Sequence, residues 1–220
     1  MYPKNTKLIR SILVLGAALG LSACASVDTA SRNAPIDAPL TGIESPAPLT
    51  SPVKVVGVTV NVPRDLKVSE ANRYYPSGDI VWREDPIGDR YAQVAAIVQG
   101  AMEQGVADMD GTQEVFLEVS VSRFHALTEK ARYTVGGVHA IQFTYRLVDA
   151  ATGAELTPPK FVKADFDALG GNAAVAAEAR GVTQKFRITH HLAQVIQHEL
   201  RQPEGYLVQN TGMIGAINQL

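Results

Sequence analysis

The stretch Glu114-Val-Phe-Leu-Glu-Val-Ser-Val-Ser-Arg-Phe124 alternates apolar and polar residues with a period of two. This period is typical of a β-strand, in which successive side chains point to opposite faces of a sheet. The apolar residues at positions 115, 117, 119 and 121 therefore face a core, and the polar residues between them face solvent. A strand that is buried on one face only predicts a sheet that is covered on one side.

Residues 137–148 repeat this alternation further along the chain. Their apolar positions are Ile141, Phe143, Tyr145 and Leu147. The following Asp149-Ala-Ala-Thr-Gly153 has the composition of a turn and predicts a hairpin into another strand at about residues 154–166. Pro158 and Pro159 make that strand bulged or peripheral, because proline cannot donate a hydrogen bond to a central ladder.

The valine-rich stretch Val53-Lys-Val-Val-Gly-Val-Thr-Val-Asn-Val62 predicts one more strand, which precedes the others. Its alternation shifts at Gly57, and we expect a β-bulge there. Residues 63–88 follow as a long connection that contains several prolines and glycines.

Two amphipathic helices complete the pattern. The first runs from about Arg90 to Met109 with Asp89 as its N-cap, and the second from Ala173 or Gly181 to Gln202. The stripe of the second helix that is expected to face the core consists of Val182, Phe186, Ala193, Ile196 and Leu200. The order β-α-β-β-β-α predicts an α+β fold, in which an antiparallel four-stranded sheet has both helices packed on one face.

Residues 1–23 have the layout of an export signal, with Lys4, Lys7 and Arg10 ahead of an apolar run at residues 11–23. As a helix, this run extends about 20 Å, which is too short for a hydrocarbon core of about 30 Å. The N-terminus therefore predicts a cleaved signal peptide and not a membrane span.

The end of this run, Leu21-Ser-Ala-Cys24, resembles the lipobox of bacterial lipoproteins, whose cysteine carries the lipid of the mature protein. The alternative is an ordinary signal peptide cut after Ala23. Such a cut would place an unpaired thiol in an oxidising compartment, because Cys24 is the only cysteine. We predict that Cys24 is lipidated and attaches the protein to a membrane. Ala25 follows instead of aspartate, and by resemblance to lipoprotein sorting rules this favours the outer membrane, with the protein facing the periplasm.

Composition divides the rest of the chain. Residues 24–52 are rich in Ser, Thr, Ala and Pro without apolar periodicity, which predicts a disordered tether after the lipid. Residues 53–202 form a single predicted domain, and residues 203–220 a C-terminal tail. The net charge of −2, with lysines and arginines scattered among acids, argues against a nucleic-acid partner.

The last predicted helix contains His190, His191, His198 and Glu199, which are residue types that bind zinc. His191 and His198 point in a similar direction but lie seven residues apart, about 10.5 Å along the axis. This separation is too large for one ion, and both histidines lie opposite the apolar stripe. We therefore expect a solvated polar face and no metal site, with a weak or partner-completed site as the alternative.

Four acids precede or cap the first helix, at Asp79, Glu84, Asp85 and Asp89. They lack the spacing of a calcium-binding loop. Acids ahead of a helix N-terminus also complement the helix dipole, and this explanation is favoured over calcium.

Trp82, Tyr74 and Tyr75 are the aromatic residues of the long connection. Trp82 is interpreted either as a packed plug over the sheet edge or helix start, or as an anchor for a partner, because Trp and Tyr are enriched in binding hot spots. The three residues are the candidate partner-binding site.

The histidines, serines and cysteine of the chain show no catalytic signature. His125 ends a strand, where packing or a turn hydrogen bond explains it, and there is no Gly-x-Ser-x-Gly nucleophile motif. With Cys24 assigned to the lipid, nucleophilic catalysis has no candidate. The sequence thus predicts no catalytic residue, no cofactor and no enzyme.

Three stretches resemble a known family: Ser69 through Arg90, including Asp79-Ile-Val-Trp-Arg-Glu-Asp-Pro-Ile-Gly-Asp-Arg90; Val121-Ser-Arg-Phe-His-Ala126; and Gly137 through Gly153. They are similar to uncharacterised lipoproteins of alphaproteobacteria, a likeness that implies no activity. More loosely, the layout resembles auxiliary lipoproteins of ABC-type lipid and organic-solute transport systems. That resemblance implies a periplasm-facing domain that assembles with an intermembrane transport apparatus.

We therefore expect a non-enzymatic binding or assembly module that is anchored to the outer membrane. Its partner is expected to be an envelope protein or a second copy of the chain. The alternative is a carrier that holds a small apolar ligand between helices and sheet.

Overall fold

Two long antiparallel strands, β3 (Gln113–His125) and β4 (Gly137–Asp149), form the centre of a six-stranded open sheet. The computed structural model describes residues 52–202 and 205–206, which belong to one compact unit, Ser45–Leu220. The other elements are β1 (Val53–Asn61), β2 (Ile80–Val81), α1 (Arg90–Val106), α2 (Glu129–Arg132), β5 (Lys160–Lys163), β6 (Phe166–Ala168), α3 (Gly171–Glu178) and α4 (Gln184–Arg201).

The sheet is mixed, so the prediction of four antiparallel strands is wrong, whereas the α+β class is confirmed. β1 runs parallel to the first part of β3, and β2 continues the same side as a parallel partner of Phe124 and His125. A helix between two neighbouring strands returns the chain to its starting end, and this connection makes the strands parallel. Here α1 is that helix. The register shift expected at Gly57 is confirmed between Val55 and Gly57.

The strand expected at 154–166 is divided into two short pieces along β4. β5 pairs with residues 142–145 of β4, and β6 pairs with residues 137–139. At the break between them, a carboxylate oxygen of Asp165 accepts the backbone N–H of Ile141 at 2.9 Å. The Asp165 side chain thus takes the place of a backbone carbonyl in the ladder, which lets the chain bend.

Both long helices pack on the same face of the sheet. The inward side chains of β3 and β4 join those of α1 and α4 in one apolar core, as the alternation predicts. Asp89 caps α1 by accepting from the backbone N–H groups of Tyr91 and Ala92, and this confirms the predicted cap. Gly105 of α1 lies against the backbone of Ala193 in α4, so the two helices meet in close contact.

The stripe predicted for the last helix is partly wrong, because Phe186 is 56% exposed. α4 begins only at Gln184, with Thr183 as its N-cap, and its buried apolar stripe starts at Ile188. Phe186 lies on the outer side, with its ring nearly parallel to that of His190. The buried apolar residues of the helix are Ile188, Leu192, Ala193, Val195 and Ile196.

Side chains protect the outer edges of the sheet. On β1, the carbonyl of Val58 accepts a hydrogen bond from the Gln99 side chain at 2.9 Å. On the opposite side, Pro158 and Pro159 immediately precede β5, whose first and last residues are lysines. Prolines, charges and covered carbonyls are the usual means of preventing further strand pairing.

The predicted signal peptide, Cys24 and the tether up to residue 51 lie outside the described residues, as does the tail except for Gly205 and Tyr206. Among the described residues, no helix is both long enough and apolar enough to cross a bilayer.

Candidate functional site

The two ends of β3 separate the start of the domain from its long connection. Val53 pairs with Gln113 at the beginning of β3, whereas Val81 pairs with His125 at its end. Strand β3 has 13 residues and is therefore roughly 40 Å long. The connection 63–88 thus reaches the end of the sheet that lies far from the point where the chain leaves its predicted tether.

Ion pairs fix the first part of this connection. Arg90 is only 4% exposed, and its Nε lies 2.6 Å from a carboxylate oxygen of Glu70. That hydrogen bond, together with the charges of Arg90 and Arg83, holds the pKa of Glu70 below its usual value, although partial burial acts in the opposite direction. Arg83 also lies 2.6 Å from Glu129 of α2. The loop is therefore linked to both α1 and α2.

Glu84 connects the same loop to α4. Its carboxylate accepts the backbone N–H groups of Gln184 at 3.0 Å and Lys185 at 3.2 Å, where α4 begins. It also accepts from the guanidinium of Arg132 at 3.0 Å. Free N–H groups at a helix start favour a carboxylate partner, so Glu84 serves as an additional cap.

Trp82 is a buried plug. It is 0% exposed, packs edge-on against Phe124 with 5.8 Å between ring centroids, and donates its indole N–H to Asp85 at 2.8 Å. A partner cannot contact a side chain in this position without opening the core. The prediction of Trp82 as a surface contact is therefore corrected, and its packing role is retained.

Tyr74 and Tyr75, in contrast, lie at the surface with 41% and 65% exposure. The backbone around them is held by α2: Thr128 donates its hydroxyl to the carbonyl of Arg73 at 2.7 Å, and the ammonium of Lys130 lies 4.8 Å from the centre of the Tyr74 ring. The two tyrosines are thus presented on a loop that is attached to the body of the domain.

Three further exposed side chains belong to the segments next to this loop. Tyr133 and Val135 follow α2, and Val175 lies on α3. The Tyr133 hydroxyl donates to Glu178 at 3.2 Å, so α3 is joined to the end of α2. We call the five residues Tyr74, Tyr75, Tyr133, Val135 and Val175 the distal surface.

Two glycines make the approach of these segments possible. A Cβ atom on Gly170, just before α3, would lie 2.1 Å from the backbone nitrogen of Gly136. Only glycine fits at so short a backbone distance. The sequence shows both glycines, but not that they meet.

The histidines of α4 do not form a common site. His191 is half-buried, so its predicted place on a solvated polar face is wrong. Its ring stacks on Phe166 with 4.0 Å between ring centroids, and its Nε2 lies 3.1 Å from the carbonyl oxygen of Ala164. Burial lowers the pKa of His191 to about 4. In the described part of the chain, no three His, Cys, Asp or Glu side chains are grouped as a metal site would require.

The acids of the long connection have structural partners. Asp79 accepts the backbone N–H of Lys67 at 2.8 Å, and Asp85 pairs with Lys185 at 2.7 Å. Only Asp89 caps α1 as the helix-dipole explanation predicts, whereas Glu84 caps the start of α4.

The sequence did not identify one fully buried histidine, whereas the packing or hydrogen-bonding role expected of the half-buried His125 agrees with the structure. His139 of β4 is 0% exposed, and neither ring nitrogen has a hydrogen-bond partner among the described residues. Burial lowers its pKa to about 3. Burial also lowers the pKa of His125 to about 4, although its Nε2 lies 2.7 Å from the carbonyl oxygen of Gly78. For His139 the only available signal was its place within a strand.

Residues 53–216 match the model of the DUF6778 family, whose function is unknown. No curated protein matches the chain. Among solved structures, the chain is similar to a candidate lipoprotein from Caulobacter crescentus. The two chains are 23% identical, the match covers 48% of this chain and 79% of the other, and the TM-score is 0.29.

Two other similar structures are a DUF330 protein from Xanthomonas campestris and a PelC dodecamer from Paraburkholderia phytofirmans. The DUF330 protein is 12% identical to this chain, the match covers 68% of this chain and 88% of the DUF330 protein, and the TM-score is 0.36. The PelC chain is 16% identical to this chain, the match covers 64% of this chain and 86% of the PelC chain, and the TM-score is 0.24. TM-scores this low support no inference about function.

Proposed function

We propose that this chain, which belongs to the DUF6778 family, is a lipid-anchored protein of the cell envelope that binds a partner protein through the distal surface. The observation that carries the proposal is the exposure of Tyr74 and Tyr75 on a loop held by ion pairs and hydrogen bonds. The family is of unknown function, as expected of an uncharacterised family, and its description supplies no activity.

The chemistry of the surface suits protein recognition. Tyrosine offers a large contact area with a polar tip, and such residues contribute a large share of the energy at many interfaces. Because the loop is already ordered by Arg90, Glu84 and Arg83, little conformational entropy would be lost when a partner binds. Exposed aromatic residues on a fixed loop therefore favour a binding function over a purely structural one.

The position of the surface fits an anchored protein. The predicted tether after Cys24 joins the domain at Val53, at the opposite end of β3 from the connection that carries Tyr74 and Tyr75. A flexible chain of this length has a root-mean-square extension of roughly 30 Å. The distal surface would then face away from the attachment point, where a periplasmic domain of another envelope protein can reach it.

The finer form of the proposal is an outer-membrane lipoprotein that faces the periplasm, has no catalytic residues, and is auxiliary to a lipid or solute transport system. Its support is the lipobox-like Cys24, the following Ala25, and the resemblance of the sequence to auxiliary lipoproteins. A second copy of the chain is the other candidate partner.

The carrier alternative lacks a supporting observation. The layer between the helices and the sheet is filled by side chains with little or no exposure, including Ile97, Met102, Phe143, Leu192 and Ile196. The groove that the described residues do form lies on the other face of the sheet.

Anchoring is tested by expressing the full chain and its Cys24→Ser variant in a bacterium with two membranes. Mass spectrometry of the wild type should show a lipid-modified N-terminal cysteine, and the variant should lose both this modification and its membrane association. A wild-type chain cut after Ala23 with an unmodified cysteine would overturn the anchor.

Partner binding is tested with a photoreactive phenylalanine derivative placed at Tyr75 and irradiated in native envelopes. We expect a crosslinked protein that is lost when Tyr74→Ala is added. The matched control carries the same group at Glu103, an exposed position on α1. Equal crosslinking from both positions, or recovery of only the monomer together with a reproducible hydrolytic activity, would reject the proposed function.

A further inference from the structure

The face of the sheet opposite the helices is left uncovered by the described residues and carries a groove of about 400 Å³. The strand register places its side chains in two adjacent rows. One row consists of Thr59, Glu118 and Arg146, and the other of Asn61, Ser120 and Thr144. The groove is thus built from three strands, whose backbone geometry is fixed by ladder hydrogen bonds.

The second row is a line of short, uncharged hydrogen-bonding groups. The Thr144 hydroxyl makes no hydrogen bond to any other residue of the described chain, and neither does the hydroxyl of Thr59 in the first row. The amide of Asn61 makes only a long contact of 3.5 Å with Ser120. These groups therefore keep donor and acceptor capacity for a ligand.

Charged and aromatic groups lie in the groove or directly beside it. Arg146 lies between Glu118 at 2.7 Å and Glu155 at 3.1 Å, which leaves a planar guanidinium flanked by two carboxylates. Beside the groove, on β5, Phe161 pairs with Thr144 across the strands and is 56% exposed. An exposed phenylalanine is unusual on the solvated face of a sheet, where polar side chains are the norm.

A second exposed ring extends this surface. Phe116 is 42% exposed and lies over Gly57, where a Cβ atom would come within 2.9 Å of the ring. From strand spacing and rise, Phe116 and Phe161 are roughly 16 Å apart across the rows. The two rings could contact separate units of an extended ligand.

The charge of the groove selects the class of ligand. Its one guanidinium is already paired with carboxylates, so no cationic group is left to attract phosphate or a polyanion. The groove is open, and hydroxyl and amide groups are interspersed with its apolar surface, so it does not enclose a wholly apolar molecule. A neutral chain of sugar units fits both features, because its hydroxyls pair with side-chain hydroxyls and amides while its apolar ring faces pack on aromatic rings.

We propose that this groove binds a neutral oligosaccharide. Asn61, Ser120 and Thr144 hydrogen-bond the sugar hydroxyls, and Phe161 packs against a sugar ring. This function is separate from partner binding, since the groove and the distal surface share no residue.

The test is calorimetric titration of the full-length lipidated chain in detergent with three trisaccharides: chitotriose, maltotriose and the anionic trigalacturonate. We expect a neutral trisaccharide to bind. Thr144→Val, which keeps the branched shape, and Phe161→Ala should each weaken binding about tenfold, as expected from the loss of one hydrogen bond or one packing contact.

Two variants serve as controls. Ser122→Ala removes an exposed hydroxyl of β3 outside the groove, and Tyr75→Ala changes the distal surface; neither should alter sugar binding. Absence of binding by both neutral sugars, tighter binding of trigalacturonate, or binding that survives both Thr144→Val and Phe161→Ala would overturn the proposal. Loss of partner crosslinking from position 75 in Tyr74→Ala, with intact sugar binding, would leave the two functions independently established.

Discussion

The side-chain amide of Gln184 makes two hydrogen bonds to the backbone of Leu127, accepting from its N–H at 2.9 Å and donating to its carbonyl at 3.2 Å. Both residues are buried. The amide thus acts as a substitute peptide group and joins the start of α4 to the chain just after β3. This pair supports α2 and, through it, the distal surface.

Replacing this amide should destabilise the domain. Gln184→Ala leaves both backbone groups of Leu127 without a partner in a buried site, and we expect a loss of about 1–3 kcal/mol in the free energy of unfolding. Urea denaturation measures the change. Gln194→Ala, at an exposed position of the same helix, is the control and should stay within about 0.5 kcal/mol of the wild type. Equal effects of the two substitutions would contradict the structural role of Gln184.

The contact between α1 and α4 can be tested with two glycines of one helix. A Cβ atom on Gly105 would lie 2.4 Å from the carbonyl oxygen of Ala193, whereas a Cβ atom on Gly100 would meet nothing within 4 Å. Gly105→Ala should therefore destabilise the domain by about 1–3 kcal/mol because the helices must move apart. Gly100→Ala should stabilise it by about 0.5–1 kcal/mol through its higher helix propensity. Thermal unfolding of both variants gives opposite shifts if the helix contact is as described.

Trp82 and Tyr75 are expected to separate folding from binding. Trp82→Ala removes a fully buried ring and should lower the free energy of unfolding by about 3–5 kcal/mol. Tyr75→Ala changes a side chain that is 65% exposed, and its stability should remain within about 0.5 kcal/mol of the wild type. Urea denaturation distinguishes them. A stable Trp82→Ala domain that loses its partner would restore the interface interpretation of this residue.

Acid should destabilise the domain through His139. Its pKa is about 3 in the folded protein because the ring is buried, and about 6.5 when the chain is unfolded. Between these values the unfolded chain binds a proton that the folded chain excludes, so the free energy of unfolding decreases as the pH falls below about 6.5, by up to about 1.4 kcal/mol per pH unit. His125 and His191 act in the same direction.

Asp165 opposes this trend, because burial raises the pKa of its carboxyl and protonation then favours the folded state. Asp165 is present in both the wild type and a His139 variant, so the difference between the two over the interval from pH 6.5 to 5 reports on His139. His139→Gln removes the titrating ring, and the slope of unfolding free energy against pH should decrease by about one proton in this interval. An unchanged slope would show that His139 accepts a proton in the folded state.

The centre of the fold was predictable because its signal is local. The alternation in β3 and β4 identifies their buried faces residue by residue, and Asp89 marks the start of α1. The parallel pairing of β1 was not predictable from the period, since a strand of given alternation can pair in either direction. The misplacement of Phe186 has a similar cause: the predicted stripe began before the helix does, at Val182, so its direction was offset from that of Ile188 and Leu192.

The candidate sites were predictable only in part. Tyr74 and Tyr75 stand out by composition, but their exposure depends on distant contacts such as Thr128 with Arg73. The rest of the distal surface lies on short helices and turns that have little periodicity. The groove depends on the register between three strands, which brings Asn61, Ser120 and Thr144 into one row although the outer two are 83 positions apart in sequence.

The protected edges of β1 and β5 have a consequence for the proposed anchoring of this protein to a membrane. Copies held on one surface collide often, and an open strand edge would let neighbours extend one another's sheets into fibres. The hydrogen bond from Gln99 to Val58, and the prolines and lysines beside β5, block that route on both sides. A dense layer of these domains can therefore remain a population of separate, exchangeable molecules, whose associations form and break through side chains.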